Sequence, residues 1–586
     1  MGSTATLLLP PLLQPVFLRE QPGDLQSESL PLLWPRTFYF RYHLGLKCQV
    51  GKNTLNTCFK SKTTFLRRSL NKTEHSGMTF TTLTFPIFLA IVFTLYWSVR
   101  SHVAQNRILL LASYTFYAWW DWRFCFLMLA SSLVDFELSK RIDRCNLAAR
   151  RRALLFLSIF TNLGLLATFK YYNFFLENLI QLTSQFGWSP NLNTLSIILP
   201  LGISFYTFQT LGYTIDVFRK KIPAATSLVQ YLAFVSFFPQ LVAGPIERAQ
   251  AMLPQFSRRR YFDFEKASDG SRQILWGFFK KIVIADRLAI AVNPVFEDPT
   301  LYSGPHLMMA SVFFAFQIYC DFSAYSDIAI GTARLFNIQL SKNFSYPYFS
   351  QSINEFWRRW HISLSFWFRD YIYIPLGGSR KGPTRRRFNL LVTFLISGLW
   401  HGAAWRFVAW GGFSGLAVGV STNQSKLIAM GDEPNPKQST HHRNQVIETK
   451  SSDPVTVGGE AFLPHPATLL RIYSTFAMIC VAWILFRANS LEDAWFIYRQ
   501  IAADLINAEA YRDLIQLMNV DHYQRKTACI LLAFVCWEWI FRRDPYPFQL
   551  KRVSALTRWT LYTLLIWGGL YLMARTGTGE FVYFEF

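Results

Sequence analysis

Two histidines are the residues most suited to chemistry, because each lies in a strongly apolar and aromatic segment. His361 lies in WRRWHISLSFWFRD and His401 lies in LWHGAAW, both within the stretch 354–410. An imidazole has an ordinary pKa of about 6.5, so it can accept or donate a proton near neutral pH. An ionisable side chain at membrane depth is costly and usually has a function. The two segments therefore predict a proton-transfer site.

His401 is the stronger candidate of the two. Gly402 follows it and removes side-chain bulk beside the ring, so we expect a substrate or the backbone to come close there. We also expect Trp400, Trp405 and Trp410 to wall the pocket. This setting favours general-base catalysis, in which the imidazole assists a hydroxyl group that attacks a thioester. The alternative is a buried histidine whose two nitrogens are satisfied by neighbouring groups.

The segment around His361 has helical spacing. In a continuous helix, Trp357, His361, Leu364 and Phe368 would share one face. An interfacial helix with aromatic anchors and outward-reaching arginines would explain most of these residues, but it explains the histidine less well. We therefore expect His361 to orient a substrate or to act as a second proton relay.

Composition predicts a polytopic α-helical membrane protein. The 586 residues are 51% hydrophobic, 17% aromatic and only 16% charged, with a mean hydropathy of +0.17. A soluble chain carries roughly a quarter charged residues. Apolar runs of about 20 residues, the length that crosses a bilayer, recur along most of the sequence. We expect an all-α fold with about eleven transmembrane helices and additional re-entrant or interfacial helices.

The net charge of +23 reflects membrane topology rather than nucleic-acid binding. Lysines and arginines cluster between apolar runs, as the positive-inside rule describes. The basic loop 376–387 should therefore face the cytoplasm, so that the span after it carries His401 toward the outer half of the membrane. Lys280 and Lys281 lie inside an apolar run, and we expect them to reach toward the membrane surface or to mark an interfacial helix.

Composition shifts divide the chain into four parts. Residues 1–77 are polar and Pro-rich, and Met78 resembles a natural start, so we expect either that Met78 is the true initiator or that 1–77 form a poorly structured extension. The membrane core follows over 78–420. Residues 421–463 are polar and without period, which predicts a disordered cytoplasmic loop, and 464–586 hold the last membrane helices and an aromatic tail. The eight cysteines form no CxxC pair, so neither a disulfide framework nor a metal site is predicted.

Several long motifs resemble one family. FWRRWHISLSFWFRDYIYIPLGG followed by LWHGAAW is similar to the membrane-bound O-acyltransferase (MBOAT) superfamily. Its bacterial branch, which acts in alginate O-acetylation and teichoic-acid D-alanyl transfer, is resembled most closely. The further motifs that carry this resemblance are PLGISFYTFQTLGYTIDVFR, FVSFFPQLVAGPIERAQAMLPQF, DFSAYSDIAIGTARLFNIQLSKNFSYPY, WILFRANSLEDA and the terminal FVYFEF. Together they cover residues 78–586.

The resemblance implies a ring of helices around a central funnel. It also implies that His401 matches the family's catalytic histidine and that His361 matches a second active-site position. Acetyl-coenzyme A or another cytoplasmic acyl thioester would be the donor, with no bound cofactor. A periplasmic partner of the SGNH-hydrolase type would receive the acyl group at the bacterial inner membrane and modify an exported polysaccharide. Further residues expected near the substrate or acyl donor are Asn354, Trp357, Arg358, Asp321, Trp400 and Gly402.

Two other kinds of function are compatible with such a sequence. A transporter or flippase would use the funnel without covalent chemistry, although the inverted repeats of many secondary transporters are not apparent here. A non-catalytic scaffold would only assemble a polysaccharide-modification complex. Neither a Walker-type phosphate loop nor a GxGxxG fingerprint is present in the sequence, which disfavours an ATP-driven pump.

Overall fold

The computed structural model describes residues 78–421 and 464–581, apart from residues 189, 191, 521, 551, 552, 577, 578 and 580. These residues all fall in one unit, Ser76–Phe586. The predicted extension 1–77 and nearly all of the predicted loop 421–463 therefore lie outside the described residues. So does most of the aromatic tail.

The described residues are helical and contain no strand, which confirms the all-α fold class. Twenty α-helices follow in chain order: α1 (Thr84–Ser98), α2 (His102–Asp121), α3 (Arg123–Arg144), α4 (Ala148–Leu166), α5 (Tyr172–Ser184), α6 (Ile203–Phe218), α7 (Leu228–Ser236), α8 (Ala249–Ser257), α9 (Phe264–Phe279), α10 (Asp286–Glu297), α11 (Gly304–Leu335), α12 (Ile353–Arg359), α13 (Ile362–Phe368), α14 (Gly382–His401), α15 (Trp405–Ser421), α16 (Pro466–Arg487), α17 (Leu491–Ala503), α18 (Ala508–Val520), α19 (His522–Ile540) and α20 (Ala555–Thr576). Three π-helical segments follow α4, α9 and α13, at Ala167–Tyr171, Lys280–Ala285 and Arg369–Tyr373.

Within the described part, three helical segments are long and apolar enough to cross a membrane. They are Ala148–Ser184, Gly304–Leu335 and Pro466–Arg487, and Thr84–Ser98 is a shorter apolar helix. Large apolar side chains on α4 face outward, with Phe156 69% and Phe160 64% exposed, as expected of a surface that contacts lipid. The predicted number of transmembrane helices, about eleven, is larger than the number of these segments and stays a prediction.

Helix α11 lies in the middle of the packed helices. It is predominantly apolar, and 78% of its most apolar 18-residue segment is buried. A helix that is hydrophobic all round is expected to be surrounded by other elements. Accordingly, α9, α10, α16 and α17 all pack against α11.

Helices α14 and α15 form a closely packed hairpin that ends near the candidate site. A Cβ atom at Gly398 would collide with the Phe407 carbonyl oxygen, and one at Gly411 would collide with the Phe394 carbonyl oxygen. Glycine at these two positions therefore lets the two backbones touch. This contact brings His401, the last residue of α14, next to Trp410 on α15.

The prediction that Lys280 and Lys281 reach outward toward the membrane surface is wrong. Both are buried, with 2% and 1% of their surface exposed. Lys280 Nζ lies 2.6 Å from the Asp327 carboxylate, and Lys281 Nζ lies 2.7 Å from Asp321 and 2.9 Å from Asp286. A buried charge is tolerated when an opposite charge and hydrogen bonds compensate its desolvation. The sequence shows the apolar run but not the carboxylates that meet it.

Candidate active site

His361 and His401 line the same cavity, which we call the histidine cavity. It occupies about 620 Å³ including its open mouth. Only 2% of His361 and 8% of His401 are exposed. The other lining residues are Trp357, Trp360, Leu364, Ser365, Phe368, Arg369, Tyr373, Leu390, Thr393, Phe394 and Ser397.

The predicted continuous helix through His361 is wrong. Helix α12 ends at Arg359, and His361 adopts a left-handed conformation with φ +43° before α13 begins at Ile362. Two backbone hydrogen bonds tie this bend to the preceding loop: the Ile362 N–H donates to the Asn343 carbonyl at 2.9 Å and the Ser345 N–H to the Arg359 carbonyl at 3.0 Å. A strained conformation of this kind persists where surrounding contacts hold it in place.

The bend does not separate the residues that a continuous helix would have grouped. Trp357, His361, Leu364 and Phe368 all line the histidine cavity. Two short helices joined at an angle thus present the same set of side chains as one long helix. The periodicity found the correct face, although it could not reveal the break.

The Asn343 side chain fixes the orientation of the His361 ring. Asn343 Oδ1 lies 3.1 Å from His361 Nδ1 and accepts hydrogen bonds from the Ser363 backbone N–H at 3.3 Å and the Ser363 hydroxyl at 3.0 Å. Because a backbone N–H can only donate, the shared atom is an oxygen, and His361 Nδ1 must donate to it. In the neutral ring, Nε2 then carries the lone pair. Nothing in the sequence pattern marks Asn343 for this role.

The ring of His401 lies among aromatic side chains. Its centroid is 4.9 Å from the Trp400 ring, 5.0 Å from the Trp410 ring and 5.5 Å from the Phe486 ring. Trp400 and Trp410 therefore pack against the His401 ring, although neither is among the residues that line the histidine cavity. The prediction that Trp405 also walls the pocket is wrong, because its side chain is 55% exposed and donates a hydrogen bond to Asn178 Oδ1 at 2.7 Å.

The predicted role of Gly402 also needs correction. A Cβ atom at this position would collide with the ring of Phe407. The space that glycine leaves is therefore occupied by an aromatic side chain of this chain, rather than kept open for a substrate or the backbone. Gly402 matters for packing at the turn between α14 and α15.

The cavity has polar groups at one end. Arg369 and Tyr373 line it there, on the π-helical segment that precedes the basic loop. Arg369 Nε donates to Asp370 at 2.7 Å, and Arg248 pairs with the same carboxylate at 2.7 Å. The loop begins with two glycines at positive φ, Gly377 (+112°) and Gly378 (+56°). This end therefore combines cations held by a carboxylate with a glycine turn at positive φ.

Three other predicted residues are not among those that line the histidine cavity. Asn354 donates to the Ser421 hydroxyl at 3.4 Å, and Arg358 is exposed. Asp321 lies on α11, in the buried ion pair with Lys281. Trp357 does line the cavity, and its ring meets Trp410 at 5.6 Å.

A second cavity of similar size shares Asn343 with the site. We call it the polar cavity; it occupies about 600 Å³ and its charged lining residues are Lys280, Asp327, Arg334, Lys342 and Glu538. Lys280 pairs with Asp327, and Glu538 accepts a hydrogen bond from Tyr319 at 2.8 Å. Most charges here therefore meet a polar or oppositely charged neighbour. Asn343 reaches it through Ser326, to which its amide nitrogen donates at 3.2 Å.

Comparison with known proteins places this geometry in a family. Residues 215–444 match the MBOAT, membrane-bound O-acyltransferase family. The probable alginate O-acetylase AlgI of Pseudomonas aeruginosa is 36% identical over 415 residues, which cover 70% of this chain and 72% of that protein.

Two further relatives have other named activities. The peptidoglycan O-acetyltransferase of Helicobacter pylori is 30% identical over 85% of this chain and 95% of its own length. The teichoic acid D-alanyltransferase of Streptococcus thermophilus is 27% identical over 52% of this chain and 72% of its own length. The matched region includes both histidines and the helices that hold them. The chain therefore belongs to the membrane-bound O-acyltransferase family and is a membrane acyltransferase.

Proposed function

We propose that this enzyme transfers an acyl group, most simply acetyl, from a cytoplasmic thioester across the membrane for O-acylation of an exported or cell-surface polysaccharide. The observation that carries the proposal is the pair His361 and His401 on one aromatic cavity. The names of the alginate and peptidoglycan O-acetylating relatives support a polysaccharide as final acceptor. The D-alanyl-transferring relative supports a related chemistry on another acyl group.

His401 acts as the general base in this proposal. The imidazole accepts the proton of an attacking hydroxyl while that oxygen forms a bond to the thioester carbonyl carbon. The carbon–sulfur bond then breaks, and the departing sulfur receives a proton from the imidazolium. Proton transfer of this kind contributes about 10²–10⁴-fold in rate. The aromatic rings around His401 keep water away, so that the thioester is not lost to hydrolysis.

His361 supports the reaction from within the same cavity. Its Nδ1 donates to Asn343, so its Nε2 is the nitrogen that can accept a hydrogen bond or a proton. We assign it to orienting a substrate hydroxyl or carrying the proton in a second relay step. The fixed amide on one side of the ring keeps the other nitrogen in a constant position, as positioned catalytic groups require.

The donor enters from the cytoplasmic side in this account. The basic loop 376–387 begins directly after the polar end of the cavity, and the positive-inside rule puts such a loop in the cytoplasm. Arg369 at the cavity end and the arginines of the loop suit the phosphates of acetyl-coenzyme A. His401 would then lie toward the outer half of the bilayer, at the base of a central funnel formed by about eleven spans.

The receiving side completes the pathway. We propose that the enzyme resides in the bacterial inner membrane, where a periplasmic partner of the SGNH-hydrolase type receives the acyl group and passes it to the polysaccharide. Two alternative functions are a transporter or flippase without covalent chemistry and a scaffold that only assembles the modifying complex. The scaffold makes His401 dispensable for ester formation, whereas in the transporter a loss of esters follows only from a loss of export.

The experiment that separates these functions measures O-acyl esters on surface and secreted polysaccharide. Cells that lack the chromosomal gene would carry either the wild-type chain or His401→Ala at matched membrane levels. We expect ester content to fall to background in the variant while polysaccharide export continues. Wild-type ester content in the variant would refute catalysis at His401 and favour the scaffold. Loss of polysaccharide export together with the esters would favour the transporter.

A further inference from the structure

The helix end that carries His401 is held by two neighbouring side chains from another helix. Lys170 Nζ donates to the Trp400 carbonyl at 2.7 Å and to the His401 carbonyl at 3.2 Å. The Tyr171 hydroxyl donates to the Leu399 carbonyl at 3.0 Å. The last carbonyls of an α-helix have no partner within the helix, so three consecutive open acceptors are satisfied here by two side chains.

A local irregularity puts these donors in place. Lys170 and Tyr171 lie in the π-helical segment Ala167–Tyr171, inside the long apolar run Ala148–Ser184. A π-helical turn contains an extra residue, which changes the direction of the side chains that it carries and is frequent at functional sites. Thr168 in the same segment is exposed, and its hydroxyl bonds only its own helix, at the Gly164 carbonyl. Lys170 and Tyr171 instead reach α14.

The charge of Lys170 suits this position. A lysine within an apolar run is costly unless it meets acceptors. The carboxyl end of a helix carries partial negative charge, which stabilises a cation beside it. The Lys170 ammonium also lies 5.9 Å from the centroid of the Trp400 ring, the same ring that packs against His401. Both the backbone and the aromatic neighbour of His401 are therefore in contact with one cation.

We propose that Lys170 is a positioning residue for His401, with Tyr171 in an auxiliary role. It holds the end of α14 so that the imidazole keeps its place among Trp400, Trp410 and Phe486. Lys170 bonds the backbone at His401, and its effect on the reaction passes through that backbone. The inference rests on the proposed role of His401 in acyl transfer. A displacement of about 1 Å in a catalytic group can lower a rate by about 100-fold.

The test compares Lys170→Met with Lys170→Arg and with Thr168→Ala. Methionine keeps much of the length but has no donor, whereas arginine keeps several donors for the two carbonyls. Thr168→Ala changes the same π-helical segment at a side chain that does not reach α14, so it is the matched control. The measurement is the initial rate of O-acyl ester formation on cell-surface polysaccharide, divided by the amount of folded protein in the membrane.

We expect Lys170→Met to lower this rate roughly 10- to 100-fold. We also expect Lys170→Arg to recover most of the rate, and Thr168→Ala to retain all of it. A purely structural lysine would reduce the amount of folded protein and leave the rate per folded molecule unchanged, and that result would overturn the proposal. If Lys170→Met does not accumulate, Tyr171→Phe replaces it: loss of one hydroxyl should lower the rate several-fold at a normal level, and an unchanged rate would overturn the proposal.

His401→Ala, measured in parallel, separates a failure of the positioning role of Lys170 from a failure of the proposed function. Loss of ester formation in His401→Ala with a normal rate in Lys170→Met would refute the positioning role alone. Normal ester formation in His401→Ala would refute the proposed function and the positioning role with it. Loss in both variants, with recovery in Lys170→Arg, is the outcome that the contacts predict.

Discussion

The histidine cavity and the polar cavity have similar volumes and are linked by Asn343, which lines the polar cavity and contacts His361, but they hold their ionisable groups differently. In the polar cavity, Lys280 is paired with Asp327 at 2.6 Å. Around the two imidazoles, the neighbours include aromatic rings and the Asn343 amide, and the Lys170 ammonium lies at the His401 carbonyl. Charges neutralised by opposite charges stabilise the structure, whereas an imidazole has an ordinary pKa near neutrality and is suited to proton transfer.

This difference bears on how the sequence predictions for histidines and for lysines are to be interpreted. Histidines and lysines in apolar runs both attract attention as costly residues. The cost of burying Lys280 and Lys281 is offset by carboxylates on α10 and α11. Two of these carboxylates, Asp321 and Asp327, lie far from the lysines in the sequence. An ionisable residue in an apolar run can therefore have a structural or a catalytic role. Its neighbours in the folded protein indicate which of the two it has.

The largest effect on stability should come from breaking the buried ion pairs on α11. Lys281→Met leaves the carboxylates of Asp321 and Asp286 buried without this cation, and such a change typically costs about 3–5 kcal/mol. We expect a lower unfolding temperature in detergent and less protein in the membrane. Lys140→Met is the control, since Lys140 meets Glu137 only at 3.7 Å near the surface and such a pair contributes at most about 1 kcal/mol.

The rate per folded molecule should remain at its wild-type value in Lys281→Met. Equal stability of the two lysine variants would contradict a structural role for the α11 ion pairs. A selective loss of rate in Lys281→Met would show that the α11 ion pairs contribute to the reaction. The two regions would then no longer differ in function.

The next effect concerns Asn343, which lines the polar cavity and contacts His361 in the histidine cavity. Asn343→Ala removes the acceptor that orients His361, so we expect the rate of ester formation to fall roughly 10- to 100-fold at a matched protein level. Ser326→Ala removes only the hydrogen bond that the Asn343 amide nitrogen donates to Ser326 in the polar cavity, so it should leave the rate nearly unchanged. Equal rates in these two variants would show that the orientation of His361 does not matter for the reaction.

The smallest effect should follow from a change at the turn after His401. Gly402→Ala places a methyl group against the Phe407 ring, and overpacking of this kind costs about 1–3 kcal/mol. The thermal unfolding midpoint should fall, and Phe407→Leu in the same chain should restore part of it by making room. If Gly402→Ala instead weakened substrate binding, with no rescue by Phe407→Leu, the glycine would be keeping a substrate path open.

The sequence predicted the main features of the site because they depend on local pattern. The apolar runs predicted helices, and the spacing of Trp357, His361, Leu364 and Phe368 selected the side chains that face the cavity. The motifs around both histidines also predicted the family. The positive φ of His361 could not be predicted, because a histidine carries no signal for a left-handed bend as a glycine does.

The residues that the sequence did not reveal act across long separations. Asn343 reaches His361 from a preceding loop, and Lys170 reaches the His401 carbonyl from 231 positions earlier in the chain. Phe407 fills the space beside Gly402 only because α14 and α15 fold back on each other. Such contacts follow from helix packing rather than from periodicity, so one sequence does not disclose them.

The central claim is most directly tested by the rate of acyl transfer per folded molecule in His401→Ala, with His102→Ala as control. His102 begins α2 and is exposed, so its loss should leave the rate unchanged. We predict that His401→Ala lowers the rate by at least about 100-fold while the protein remains folded in the membrane. A wild-type rate in His401→Ala would contradict the account and assign the histidine cavity to structure.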